Sequence, residues 1–180
     1  MRPANAVGQP DLVIYWDGSD EAMCAATYIV WPTSSGVSTN LLCAKTRVGP
    51  LNRISTPRAE IQAAVISVRL RSAIMKHTKI DYNAVYHIRD SECTLAMMKK
   101  DSVALKEFMG NQVTECLEGS NESEWYHTPT HLNISDLGTR RLARVEDLDS
   151  QLTWSRGPSY LRLPKDQWDI TRNINSKNIP

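Results

Sequence analysis

Apolar positions gather in short, strand-length runs toward the N-terminal end and in helical stripes further on. Residues 12–16, 22–31 and 37–45 are apolar or alternating runs, and Pro32-Thr33-Ser34-Ser35-Gly36 between the last two is rich in turn formers. This part predicts a meander of three strands. A polar loop over 46–56, carrying Gly49-Pro50, leads into a helix whose first turn accommodates Pro57, with Ser55 or Thr56 as its cap. Ile61, Ala64, Val65 and Val68 form one apolar stripe along that helix. Residues 84–88 predict a buried strand, 92–100 and 103–116 helices, and 124–127 a short strand. A polar turn at Pro129 precedes a last helix over 136–145. A meander followed by alternating helices and strands implies an α/β domain, a mixed sheet covered by helices. Residues 1–10 read as a linker, 11–146 as the domain, and 147–180 as a C-terminal extension rather than a second core.

Composition sharpens this only in part. A chain of 180 residues with 41% hydrophobic and 23% charged positions can bury a real core, which argues against wholesale disorder. The formal net charge of +1 leaves no overall field to attract a polyanion, so nucleic-acid binding would need a local basic edge. Two such clusters exist, Lys45, Arg47, Arg53 and Arg58 before the first helix, and Lys99, Lys100 and Lys106 after the fourth strand. Groups of this size are solvated faces more often than phosphate contacts. Cys24, Cys43, Cys93 and Cys116 are widely spaced without a CxxC pair and without an export signal, which reads as reduced thiols in an intracellular compartment. No apolar stretch approaches the roughly 20 residues of a membrane span.

The candidate chemistry lies in acidic residues at element ends. Asp17 closes the first strand, Asp90 the fourth, Glu60 falls in the first turn of the first helix, and Asp136 follows the polar turn. Taken singly, each is better explained as a turn residue, a cap or a response to the helix dipole. If the two strands are neighbours, the topology brings all four to one sheet edge. Carboxylates brought together repel, and a cation relieves that. Oxygen ligands without Cys or His spacing point to Mg²⁺ or Mn²⁺, and two-ion phosphodiester hydrolysis uses carboxylates in this arrangement. His131, five residues before Asp136, is a candidate to move the leaving-group proton, with a plain surface histidine as the equal alternative. His127 reads as structural, and His77 and His87 carry no local pattern.

At these residues the chain resembles the ribonuclease H domain of BEL/Pao-type LTR retrotransposon polyproteins, over about residues 12 to 168. The most specific stretch runs from Lys45-Thr46-Arg47-Val48-Gly49-Pro50-Leu51 to Ser55-Thr56-Pro57-Arg58-Ala59-Glu60-Ile61-Gln62-Ala63-Ala64, similar to "KTRVAPL…TIPRLELxAA". Asp17-Gly18-Ser19 resembles "DAS", Arg89-Asp90-Ser91 resembles "SDS", and the run from Trp125 to Arg140 resembles "WRHVPSHLNPADLGTR". Trp154-Ser155-Arg156-Gly157-Pro158 through Leu161 is similar to "WWHGPxWL". The resemblance implies a ribonuclease H-like fold with a five-stranded mixed sheet and helices on both sides. It implies cleavage of RNA in RNA–DNA hybrids beside an adjoining reverse transcriptase, in a cytoplasmic retroelement particle or the nucleus. Asp17, Glu60, Asp90 and Asp136 would hold two Mg²⁺ or Mn²⁺ ions, and His131 falls where retroviral relatives carry a mobile histidine, although the turn to Asp136 is shorter. Gly18 and Ile134-Ser135 depart from the family's Ala and Pro-Ala.

Two competing readings share this fold. An integrase-type core would place a final Glu on a helix after two strand aspartates, whereas here Glu60 comes early and Asp136 late. A non-catalytic architectural or nucleic-acid-binding module would be signalled by a lost acid, and all four are present.

Overall fold

Strand β1 (Asp11–Gly18) is apolar at successive positions because both of its faces are covered. In the computed structural model, which describes residues 2–52, 54–91, 94, 107–140 and 153–172, it lies at the centre of a mixed sheet. β2 (Ala22–Thr33) and β3 (Gly36–Val48) complete the meander, antiparallel to β1 and to each other. Helix α1 (Thr56–Thr78) crosses back over the sheet, so β4 (Ala84–Arg89) enters parallel to β1 on its other side. β5 (Trp125–His127) pairs parallel with β4, and β6 (Thr171–Arg172) pairs antiparallel with β5. The order is β3-β2-β1-β4-β5-β6, six strands among the described residues where five were expected. The added strand comes from the C-terminal segment, whose two residues carry no periodic signal of their own.

The alternation along β1 divides the core in two. Leu12, Ile14 and Trp16 pack with Ala59, Ile61, Ala64, Val65 and Val68 of α1 and with Val113 and Cys116 of α2 (Glu107–Glu118). Val13, Tyr15, Tyr28, Val30 and Ile88 face the opposite way, onto Ile134, Tyr160, Leu161 and Trp168. The segment 153–172, read from sequence as an extension, thus lines the second face of the sheet. It is tied there by a 2.5 Å hydrogen bond between the Tyr15 and Tyr160 hydroxyls and by Tyr28 donating to the Trp154 carbonyl. Apart from Thr94, the helix expected over 92–100 lies outside the described residues, as do the start of that over 103–116 and the second half of that over 136–145. The part of the last that is described is a 3₁₀ turn, Ile134–Gly138. No helix among the described residues is long and apolar enough to cross a membrane. Cys24, Cys43 and Cys116 are free thiols.

His87 is a titratable group that the α1 side of the sheet keeps uncharged. It is fully buried on β4, stacked on Trp125 with ring centroids 4.6 Å apart, and its Nδ1 lies 3.0 Å from Ser67 Oγ. Ser67 Oγ donates to the Ala64 carbonyl, which leaves Nδ1–H to donate to Ser67, while Nε2 is buried with no hydrogen-bond partner among the described residues, as suits a neutral ring. Burial, with the nearby Arg71 charge adding to it, lowers its pKa from the ordinary 6.5 to about 3. Between those values the unfolded chain binds the extra proton and the folded chain does not, so stability falls as pH drops. At pH 5 the cost is about 2 kcal/mol. Urea unfolding of His87→Phe should lose about that much less stability between pH 7 and pH 5 than wild type does; equal losses would show that His87 charges readily within the fold.

Candidate functional site

β1 and β4 run parallel in a register that sets Tyr15 beside Ile88. Two residues further on, the same register brings Asp17 level with Asp90, just past the end of β4. Parity puts both on the second face, since Trp16 and Arg89 pack against the α1 side. The Asp17 carboxyl is held above the usual carboxylate range, first by burial and then by repulsion from Asp90 and Asp136. Hydrogen bonds from Thr139 Oγ1, at 2.5 Å to Asp17 Oδ2, and from the Gly18 backbone work against that rise. Asp17, Asp90 and Asp136 are therefore electrostatic neighbours.

The turn that carries Asp136 is fixed by Asn133, a residue that sequence reasoning passed over. Its buried side-chain amide donates to the Trp16 carbonyl at 3.2 Å and to Asp90 Oδ1 at 3.0 Å. Its Oδ1 accepts from Ser135 Oγ at 2.6 Å and from the Ser135 amide at 3.3 Å. One amide group thus joins β1, the loop after β4 and the Asp136 turn. Gly138 lets this turn lie flat on the sheet, because a Cβ there would sit 2.3 Å from Cys24 Sγ, and Cys24 pairs with Asp17 across β1 and β2. Asp136 also makes an ion pair with Arg140, which is largely exposed and of little energetic weight.

Glu60 reaches the same sheet edge from the other face. Gly18 packs against the first turn of α1 so closely that a Cβ would lie 2.5 Å from the Ala59 carbonyl and 2.6 Å from the Glu60 nitrogen. This accounts for Gly18 standing where the resembling motif has alanine. Gly18→Ala should cost about 1–3 kcal/mol as the helix turn is pushed away, and an unchanged urea midpoint would show that the turn sits farther off. The Glu60 carboxylate faces protein donors on both oxygens. Oε1 lies 3.0 Å from Arg89 Nη2, and Oε2 accepts from Thr94 at 2.5 Å and from Ser91 at 3.3 Å. Arg89 is only 1% exposed, and its guanidinium lies 4.5 Å from the centre of the Trp16 ring. Burial pulls its pKa down, while Glu60, Asp90 and Asp17 oppose that.

His131 is exposed on a 3₁₀ turn, Thr130–Leu132, one short turn before Asn133. His127 is structural, its Nε2 lying 3.1 Å from the Asp90 carbonyl. Among the basic residues, Lys45 and Arg47 are exposed at the end of β3 and Arg58 stacks over Phe108, while Arg53, Lys99, Lys100 and Lys106 lie outside the described residues. Asp17, Asp90 and Asp136 offer only carboxylate oxygens, a donor chemistry that suits a hard divalent cation. As the side chains stand, no three acidic, histidine or cysteine groups among the described residues converge closely enough to hold one.

Residues 2–91, half of the chain and including Asp17, Glu60 and Asp90, match the family model described as the Pao retrotransposon-like RNaseH-like domain. The chain belongs to this family. The Pao-type domain accordingly has the RNase H-like fold, a mixed sheet with flanking helices. No curated protein matches it in sequence. Among solved structures it is similar to the N-terminal RNase H domain of a Mycobacterium tuberculosis protein fused to maltose-binding protein, at 15% identity over 69% of this chain and 86% of that one, TM-score 0.44. It is also similar to LC11-RNase H1, isolated from compost and solved in complex with an RNA/DNA hybrid, at 17% identity over 68% and 88%, TM-score 0.44. A third, LC9-RNase H1, described as a type 1 RNase H with the type 2 active-site motif, is 12% identical over 97% and 99%, TM-score 0.48.

Proposed function

We propose that this domain hydrolyses the RNA strand of RNA–DNA hybrids, with a divalent cation held by Asp17, Asp90 and Asp136. The observation that carries the reading is the juxtaposition of Asp17 and Asp90 on adjoining parallel strands, with repulsion from Asp136 reaching Asp17, in a chain of this family. Mg²⁺ or Mn²⁺, when bound, would polarise the scissile phosphate and lower the pKa of an attacking water. Asp17, whose pKa is raised by burial and further by repulsion from Asp90 and Asp136, gains from such a charge nearby. Asn133 and Thr139 each hold one oxygen of Asp90 and Asp17, so the side-chain turns that would bring the three carboxylates onto one ion start from restrained positions. Exposed His131 is the side chain we assign to moving the leaving-group proton. Lys45 and Arg47 on the end of β3 are candidates for phosphate contacts. The setting that fits is reverse transcription in a cytoplasmic retroelement particle, beside a reverse transcriptase that shares the grip on the hybrid.

A second reading is a hybrid-binding module without turnover, favoured by the engagement of both Glu60 oxygens with protein donors. A labelled RNA–DNA hybrid separates the two. The nuclease cuts the RNA strand only when Mg²⁺ or Mn²⁺ is added. Retention of intact hybrid at every ion concentration would establish the binding module instead.

A further inference from the structure

Hydrolysis does not require a buried arginine beside Glu60, and Arg89 is costly where it stands. It ends β4 with 1% of its side chain exposed, and only Nη2 reaches a partner, Glu60 Oε1 at 3.0 Å. Nε and Nη1 are buried with no hydrogen-bond partner among the described residues. A guanidinium stripped of water with most of its donors unused is a large desolvation penalty, tolerated only if its charge answers another. On the other side, Thr94 and Ser91 occupy the remaining Glu60 oxygen, leaving the carboxylate without a free face.

Parity makes the arrangement asymmetric. Arg89 and Trp16 face α1, so the cation lies with Glu60, while Asp17 and Asp90 turn to the opposite face, toward Asn133 and Asp136. We propose that Arg89 is a built-in counter-cation that holds Glu60 away from divalent ions, so that the first ion binds Asp17, Asp90 and Asp136 and Glu60 joins only when the Arg89–Glu60 pair opens. The proposal rests on the metal-dependent reading above and assigns Arg89 a positioning role: it weakens ion uptake through charge and through its hold on one ligand.

Titration of the full chain with Mn²⁺, following free ion by electron paramagnetic resonance without nucleic acid, tests this directly. Arg89→Ser should bind Mn²⁺ at least tenfold more tightly than wild type, because a repelling charge goes and a carboxylate is released. The gain should depend on Glu60: Arg89→Ser combined with Glu60→Gln should lose most of it. A purely structural role for Arg89 predicts unchanged or weaker binding in Arg89→Ser, and either result overturns the proposal. Arg89→Met keeps the apolar stem over Trp16 without the charge and serves if the serine variant does not fold. Asp90→Asn distinguishes the two levels of argument. If it binds Mn²⁺ as well as wild type does, the metal-dependent reading itself fails. If it binds weakly while Arg89→Ser gains nothing, only the role of Arg89 falls.

Discussion

Asp90→Asn is expected to reduce metal-dependent cleavage of a hybrid by roughly 10³-fold or more, about 4 kcal/mol of transition-state stabilisation. The substitution is nearly isosteric, and the new amide oxygen can still accept the hydrogen bond that Asn133 now gives to Asp90 Oδ1. The loop after β4 should therefore keep its place. Removing one negative charge relieves the repulsion that adds to burial in raising the Asp17 pKa, but also withdraws support from the buried Arg89 charge, so the metal-free protein should melt close to the wild-type temperature. A fall in activity without a fall in Tm separates a chemical role from a structural one. Cleavage that survives at wild-type rate would remove Asp90 from the reaction, whatever the fold.

Removing residues 153–180 should abolish cooperative folding. Tyr160, Leu161 and Trp168 cover Val13, Tyr15, Tyr28 and Ile88 on the second face of the sheet. Each large side chain returned to water forfeits about 1.5–3 kcal/mol, and the buried Tyr15 hydroxyl would lose its partner. Losses of that size add up to most of what holds an ordinary domain folded. Far-ultraviolet circular dichroism with dye binding should report residual secondary structure around an exposed apolar face. Leu161→Ala, a gentler change at a fully buried position, should cost about 2–5 kcal/mol. A truncated protein that melted cooperatively within a few degrees of the full chain would show that the second face needs no cover.

The sequence made the frame of this fold readable because β1, β2, β4 and α1 carry their signals locally. The apolar run 12–16 reads as a strand whichever sheet it joins, and Ile61, Ala64, Val65 and Val68 mark the inward side of α1. The nearness of Asp17 and Asp90 at one sheet edge was also legible, because the first closes β1, the second directly follows β4, and a helical crossover makes those strands parallel neighbours. What escaped is held by tertiary contacts. Tyr160 and Leu161 lie in a 3₁₀ turn flanked by Gly157-Pro158 and Leu163-Pro164, where no period announces a buried face. Arg89 reads as a surface charge closing a strand, and only Trp16 and Glu60 explain why it is inside. Asn133 looks like an ordinary turn residue until its amide is seen to span three segments.

The parallel union of β1 and β4 has a consequence in time as well as in space. The β1, β2 and β3 hairpins can form from neighbouring residues, but Asp17 and Asp90 stand 73 positions apart and meet only after α1 has closed the crossover. Such long-range parallel pairing is slow, since the entropy of loop closure comes before its reward. The mutual repulsion of the acids is consequently deferred until the chain has committed to its topology. The β1–β2 and β2–β3 hairpins contain only Asp17 of the three, so the repulsion arises only with the pairing of β1 and β4.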